Sequence, residues 1–153
     1  MLTLKTIEWG SEDYQKALAL RDEVLRRPVG LSLFDEDLQR EKALIHVAAY
    51  LDDVFCGTLQ FTPLGNGVLR LGQVVVKPDC RGQGIGAAML RYGEALMRER
   101  GYTAIEVHAR LTAVGFYEKQ GYRIEGPAFL EKGVQHRVGR KKLAPPHSEK
   151  KSN

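Results

Sequence analysis

A glycine-rich loop is the part of this sequence whose residue types and spacing point most directly to chemistry. Arg81-Gly82-Gln83-Gly84-Ile85-Gly86 follows an apolar run and leads into a helical pattern. Backbone N–H groups that converge at the positive end of a helix bind phosphate. Glycine permits close approach of an anion to the backbone, and Arg81 adds a guanidinium suited to phosphate oxygens. The loop is therefore a predicted diphosphate site.

Two other interpretations of the loop are weaker. A plain strand-to-helix turn needs one or two glycines, not three behind an arginine. The segment 82–87 also fits the dinucleotide pattern G-x-G-x-x-A, with Glu106 about twenty residues further on. In that pattern the glycines follow the strand at once, whereas residues 77–81 intervene here, and too little chain follows for the remaining βαβ units. A Walker loop is excluded because Gly-Lys-Ser/Thr is absent.

The elements that must position this loop follow from hydrophobic periodicity and turn signals. Strands are predicted at 2–8, 45–51, 54–61, 68–76, 103–109, 122–125 and 134–143, and helices at about 11–27 after the cap Ser11, at 86–100 and at 111–120. The helix at 86–100 has the clearest pattern, with Glu94 four residues before Arg98. The order predicts a mixed, mostly antiparallel sheet with interspersed helices.

Composition bounds the remaining possibilities. A chain of 153 residues with 43% hydrophobic residues is expected to form one domain, residues 1–143, followed by a disordered polar tail, 144–153. Part of the net charge of +4 lies near the C-terminal end, so no nucleic-acid partner is expected. We expect a cytoplasmic protein with no signal peptide and no membrane span. Cys56 and Cys80 lack zinc-site spacing, so we expect free thiols and no metal.

The sequence resembles the GNAT superfamily of N-acetyltransferases over about residues 2–143. Arg81, Gly84 and Gly86 match its motif Arg/Gln-x-x-Gly-x-Gly/Ala, and the segment 113–122 falls in the family's order. This resemblance implies a GNAT-like α/β (α+β) fold, with a mostly antiparallel central sheet of about six to seven strands flanked by about four helices.

A narrower resemblance is to the ElaA-like and YjcF-like group. It is carried by Arg21-Asp22-Glu23-Val24, by His46 and by the segment 129–136. Two positions depart from that group's pattern, because Gln73 stands where an arginine is common and Arg110 where glutamine or asparagine is frequent. The acceptor substrate therefore cannot be transferred by analogy.

The family resemblance implies the roles of the site residues. The co-substrate is acetyl-CoA, whose pantetheine arm would lie along the backbone of Val74, Val75 and Val76. Its pyrophosphate would be held by Arg81 and by the amides of Gly82, Gln83, Gly84, Ile85, Gly86 and Ala87. Tyr117 matches the tyrosine that protonates the leaving thiolate, although an amphipathic core role is the alternative. The base stays open between Glu106, His108, His46, His136 and water.

The predicted function is transfer of an acetyl group from acetyl-CoA to an amine of a small molecule or peptide, by direct attack on the thioester. The alternative from another class is a coenzyme-A-binding sensor or interaction module without turnover. A monomer or a homodimer is expected, with no membrane partner.

Overall fold

The computed structural model describes residues 1–145, and its elements follow the predicted order. The strands are β1 (Leu2–Ile7), β2 (Ile45–Leu51), β3 (Val54–Gly65), β4 (Val68–Val76), β5 (Ala104–Arg110), β6 (Arg123–Glu131) and β7 (Val134–Lys142). The α-helices are α1 (Glu12–Arg21), α2 (Ile85–Glu99) and α3 (Val114–Lys119), with short π and 3₁₀ turns between elements. Residues 146–153 of the predicted tail lie outside the described residues.

The strands form a seven-stranded sheet in the order β1-β2-β3-β4-β5-β7-β6. β1 pairs antiparallel with β2, β2 with β3, β5 with β7, and β6 with β7. β4 pairs parallel with β5 over Val68–Leu71 and Ala104–Val107. The predicted architecture, a mixed and mostly antiparallel sheet with helices, is therefore confirmed.

Residue contacts divide the chain into two compact units. Unit 1 comprises Met1–Thr62 and Gly72–Tyr92, and unit 2 comprises Pro63–Leu71 and the chain from Gly93 onward. β3, β4 and α2 contribute residues to both units. The assignment of residues 1–143 to one domain stays a prediction.

Unit 1 is built around apolar side chains from β1, α1 and the strands that follow. Its larger core cluster consists of Ile7, Ala17, Leu20, Ala48, Tyr50, Phe55 and Val75. A second cluster is formed by Tyr14, Leu18 and Leu33, with Trp9 and Leu38 packed against it. The backbone packs closely at Gly57, where an added Cβ would lie 3.0 Å from Met89 Cε and 3.1 Å from Val75 O. A side chain at this position would require Met89 and the backbone of β4 to shift.

The core of unit 2 includes every second residue of β5. Ile105, Val107 and Ala109 are buried there. Gly139 of β7 faces this core, and a Cβ added to it would lie 3.1 Å from Val107 Cγ1 and 3.0 Å from Ile124 Cδ1. This close approach fixes β7 against the core of unit 2.

Several element boundaries differ from the prediction, and β3, for example, runs to Gly65 instead of ending at residue 61. The helix that begins after Ser11 is α-helical only to Arg21, and it continues as a π turn, Asp22–Arg26. β6 extends to Glu131 instead of ending near residue 125, because Gly126, at φ 77°, lies in a register shift that interrupts the strand pattern. Ser11 caps α1 as predicted, since its side chain accepts a hydrogen bond from Tyr14 N.

Candidate functional site

The glycine loop in unit 1 opens a space beside the backbone. Gly82 has φ 83° and Gly84 has φ 75°, conformations that residues with a side chain rarely adopt. A Cβ added at either position would meet no atom within 4 Å. Gly86 is the second residue of α2 and is helical, so the need for a positive φ does not extend to it. The glycines thus permit close approach of a ligand and do not relieve crowding within the protein.

The loop directs backbone N–H groups toward the start of α2. The first hydrogen bond of the helix runs from Ala88 N to Gly84 O at 3.0 Å, so the amides of residues 85–87 precede the helical ladder. Arg81 Nε donates to Val76 O at 3.1 Å, and Gln83 Nε2 donates to Cys80 O at 3.3 Å. The loop therefore combines early helix amides, two left-handed glycines and an exposed guanidinium, which fits a phosphate group.

The valines before the loop have different environments. Val75 is buried in the larger core cluster of unit 1, whereas Val74 and Val76 are half-buried. Gln73, directly before them, has φ 55° in the middle of β4. Core packing by Val75 is compatible with a ligand contact through its backbone, and that ligand contact stays a prediction.

Tyr117 lies on α3 in an aromatic cluster of unit 2. Its ring centroid is 5.1 Å from that of Phe116 and 5.6 Å from that of Tyr122, both in edge-on geometry. The residue is 6% exposed, and burial raises the pKa of its phenol well above the ordinary value. Tyr117 therefore carries its proton throughout the physiological pH range, as an acid must before it donates.

Glu106 of β5 is held by arginines. Its Oε2 accepts hydrogen bonds from Arg70 Nε at 2.9 Å and from Arg70 Nη2 at 2.7 Å. Its Oε1 lies 3.7 Å from Arg140 Nη2. Both oxygens of the Glu106 carboxylate therefore face arginine guanidiniums.

His108, two residues further along β5, has a different set of partners. Its Nδ1 lies 2.8 Å from Glu131 Oε1, a distance at which Nδ1–H donates to the carboxylate. Its ring meets Phe129 edge-on at 5.1 Å. Its Nε2 lies 3.7 Å from Glu106 Oε2, beyond hydrogen-bond distance. In the neutral ring, the contact with Glu131 places the proton on Nδ1 and the lone pair on Nε2.

The other two histidine candidates are engaged with backbone carbonyls. His136 Nδ1 lies 2.7 Å from Val134 O, and His46 Nε2 lies 2.9 Å from Glu41 O. His46 is 4% exposed in unit 1, and burial lowers its pKa, so the ring is neutral. His46 is therefore a packed and hydrogen-bonded core residue.

Comparison with known proteins decides the family. The sequence model of the acetyltransferase (GNAT) family matches residues 5–122. The chain belongs to this family. An uncharacterized acetyltransferase of Streptococcus pyogenes serotype M3 is 33% identical to this GNAT protein over 97 residues, which is 63% of this chain and 68% of that protein.

Solved structures agree with the family assignment. A "putative N-acetyltransferase" from Lactobacillus plantarum is 30% identical, with a TM-score of 0.79 over 93% of this chain and 99% of that one. An aminoglycoside 6'-N-acetyltransferase complexed with coenzyme A is 18% identical, with a TM-score of 0.77 over 94% and 98% of the two chains. At that identity the second likeness shows the fold alone. The predicted GNAT membership is confirmed, and the narrower ElaA-like and YjcF-like group stays a prediction.

Sequence reasoning did not foresee a buried ion cluster in unit 1 of this GNAT protein. Arg21 donates to both carboxylate oxygens of Glu41, at 2.8 and 2.7 Å, and Tyr14 donates to one of them at 2.7 Å. Burial alone would raise the pKa of Glu41, but the hydrogen bonds and the charge of Arg21 hold that pKa below its usual value. Arg21 entered the sequence analysis only through a family pattern, because nothing local links it to a partner twenty residues away.

The remaining expectations concern metals, membranes and thiols. Among residues 1–145, no cluster of three or more His, Cys, Asp or Glu side chains has an arrangement that could hold a metal ion. Within the same residues, no helix combines the length and apolarity that a membrane crossing requires. Cys56 and Cys80 are free thiols, as predicted.

Proposed function

We propose that this GNAT protein is an acetyl-CoA-dependent N-acetyltransferase that acts on an amine of a small molecule or peptide. The observation that carries the proposal is the loop of unit 1, with two left-handed glycines and open space before the first turn of α2. A diphosphate fits such a loop because amides, helix dipole and Arg81 all favour negative charge. Because the chain belongs to an acetyltransferase family, we infer that the diphosphate is that of coenzyme A.

Two segments of unit 1 would bind the co-substrate. The amides of residues 82–87, with Arg81, would hold the pyrophosphate. The backbone of Val74, Val75 and Val76 would contact the pantetheine arm while the side chain of Val75 stays in the core. Apart from Arg81, both segments would act through main-chain groups. They would therefore not distinguish between acyl groups or between acceptors.

The reaction replaces the C–S bond by a C–N bond, and in net terms one proton moves from the amine to the sulfur. The neutral amine nitrogen attacks the thioester carbonyl carbon, a C–N bond forms, and the C–S bond breaks with its electron pair on sulfur. The amine loses a proton to a base, and the sulfur takes a proton from the Tyr117 hydroxyl. The products are an N-acetylated amine and coenzyme A with a free thiol. The family motif is what assigns the acid role to Tyr117; burial raises the pKa of its phenol, so the hydroxyl is protonated at neutral pH and is a weaker acid than that of a free tyrosine.

Among the candidate bases, His108 fits best. Glu106 is bonded to Arg70, and His46 is buried and bonded to a backbone carbonyl. The ring of His108 is oriented by the 2.8 Å contact from Nδ1 to Glu131 Oε1, and its Nε2 lies 3.7 Å from Glu106 Oε2. A histidine whose tautomer is fixed by a carboxylate can take a proton on its other nitrogen.

The test is release of free thiol from acetyl-CoA in the presence of polyamines, amino acids, aminoglycosides and peptides, with the rate without acceptor as the control. Release that depends on an acceptor, together with the acetylated amine in the mass spectrum, is the expected result. Acceptor-independent release would indicate thioester hydrolysis. Binding of acetyl-CoA without release, for every acceptor, would favour a coenzyme-A-binding sensor instead.

A further inference from the structure

The buried ion cluster of unit 1 reaches the middle of β4 through Arg21. Both terminal nitrogens of its guanidinium are bonded to Glu41, so the orientation of the group is fixed. The remaining Nε–H donates to Gln73 Oε1 at 3.3 Å. A rigid cation on the first helix therefore contacts the side-chain carbonyl of a strand residue far away in sequence.

A second buried arginine contacts the same oxygen. Arg26 Nη2 donates to Gln73 Oε1 at 3.2 Å, while Arg26 Nε donates to Glu36 Oε2 at 2.6 Å. The side chain of Arg26 is 4% exposed. Buried guanidiniums need carboxylates and further acceptors, and Gln73 supplies an acceptor to both of them.

The π turn brings the two arginines to one side. In an α-helix, residues five apart point about 140° away from each other. In the π turn, hydrogen bonds join residues five apart, as from the N–H of Arg27 to the carbonyl of Asp22. Arg21 and Arg26 are themselves five residues apart, and both reach Gln73.

The backbone at Gln73 is unusual for a residue with a side chain. Its φ of 55° is left-handed, and it lies inside β4 directly before Val74. Such a conformation is unfavourable and persists when the surrounding structure over-determines it. The bonds from the two arginines fix the position of the Gln73 side-chain carbonyl beside this backbone.

We propose that Gln73 is a positioning residue for the co-substrate strand. Arg21 and Arg26 hold its side-chain carbonyl, which fixes the left-handed turn in β4 and thereby orients the main-chain groups of Val74–Val76. This inference rests on the proposed function, because it matters for catalysis only if those groups contact the pantetheine arm. It assigns a role to the position at which the sequence departs from the ElaA-like pattern.

The test compares two ligands that differ by the pantetheine arm. Acetyl-CoA and the nucleotide half of coenzyme A, adenosine 3′-phosphate 5′-diphosphate, are titrated calorimetrically into wild-type protein and into Gln73→Gly. Glycine relieves the backbone strain and removes the contact to the arginines. We expect acetyl-CoA to bind about tenfold more weakly, because part of the binding free energy must then order the turn before Val74, while the nucleotide half binds as before.

Two further variants make the test specific. Gln73→Glu keeps an acceptor oxygen for the arginines and should restore the wild-type ratio of the two affinities, whereas Gln73→Leu should behave like Gln73→Gly. Gln60→Leu is the matched control, because the side-chain oxygen of this half-buried glutamine on β3 has no hydrogen-bond partner among the described residues. It should leave both affinities unchanged.

Several outcomes would overturn the inference. One is an acetyl-CoA affinity in Gln73→Gly equal to that of the wild type. Another is an equal loss of affinity for acetyl-CoA and for the nucleotide half. The third is that, of the Gln73 variants, only Gln73→Glu folds, which would assign the side chain to stability. Wild-type protein that does not bind acetyl-CoA at all would instead reject the proposed function.

Discussion

Tyr117 combines two properties at the residue scale, a buried ring and a hydroxyl whose pKa is raised by burial. Tyr117→Phe keeps the ring and removes the proton donor, so kcat should fall by about one to three orders of magnitude, roughly what general acid catalysis contributes. The KM for acetyl-CoA should change little. Initial rates of thiol release measure both constants. The loss should shrink as pH rises, because a thiolate is then a more stable product.

Tyr122→Phe is the matched control for this experiment. Tyr122 is buried beside Tyr117, and its hydroxyl donates to Glu94 Oε2 at 2.8 Å. Its loss should lower the thermal midpoint and leave kcat near the wild-type value. Equal kcat in Tyr117→Phe and wild-type protein would assign Tyr117 to packing.

His108 gives a second prediction at this scale. His108→Gln should lower kcat/KM about a hundredfold, a typical contribution of a general base, while acetyl-CoA affinity is retained. His136→Gln is the control, because His136 lies near the same Glu131 but is engaged by Val134 O. Similar losses in the two variants would contradict the assignment of His108 as the base.

Some of these residues could be predicted from the sequence and others could not, for a physical reason. Gly82 and Gly84 could be predicted because their spacing within one loop is the pattern that indicates a phosphate-binding loop. Gln73 and Arg21 are 52 residues apart, and neither has a local pattern that names its partner. Glu94 was expected to support α2 through Arg98, yet its carboxylate accepts from Tyr122 and from Lys141 Nζ. Such tertiary partners follow from the fold and not from spacing.

The loop between β4 and α2 gives the prediction at the element scale. Gly84→Val should weaken acetyl-CoA binding by at least about tenfold, because the side chain would enter the space that the loop leaves open. Isothermal titration calorimetry measures the affinity. Backbone strain alone would also destabilise the variant, so a control with equal strain is needed.

Gly30→Val supplies that control. Gly30 has φ 78°, close to the 75° of Gly84, and a Cβ added there also meets no atom within 4 Å. The two variants should therefore lose similar stability, and only Gly84→Val should lose acetyl-CoA. Unchanged affinity in folded Gly84→Val would show that the loop is a turn without a ligand.

Element types were more predictable than element ends. β4 was predicted at 68–76 and spans Val68–Val76, because strong apolar periodicity lies between two turn signals. The π turn that follows α1 at Asp22 was not predictable, because no local sequence pattern marks the change from i→i+4 to i→i+5 hydrogen bonds. The length of β6 was underestimated because Gly126 resembles a strand end in sequence but forms a bulge within the strand.

At the scale of the whole molecule, the buried ion cluster and the neighbouring His46, whose ring packs against Tyr14, predict that the protein loses stability in acid. The folded-state pKa of His46 lies below its ordinary value of about 6.5, so the unfolded chain binds the proton more readily, and the free energy of unfolding falls as pH decreases below about 6.5. The slope from one such group is at most about 1.4 kcal/mol per pH unit. Glu41, whose folded pKa is also lowered, adds a loss below about pH 4.5.

Chemical denaturation between pH 7 and pH 5 measures this effect. His46→Gln removes the titrating ring, so its free energy of unfolding should vary less with pH in that interval than that of the wild type. The absolute stability of the variant should fall, because the edge-on contact with Tyr14 is lost. Parallel pH slopes in the two proteins would exclude His46 as the source.

The π turn Asp22–Arg26 also bears on how the length of this segment can change during evolution. A single-residue deletion within it would convert the i→i+5 pattern to the i→i+4 pattern of an α-helix. The two arginines would then be four residues apart, and residues four apart in an α-helix lie on the same face. Relatives that retain Gln73 should therefore have the two arginines either five residues apart with a π turn or four residues apart in a continuous α-helix, whereas substitution at exposed Glu23 should be tolerated.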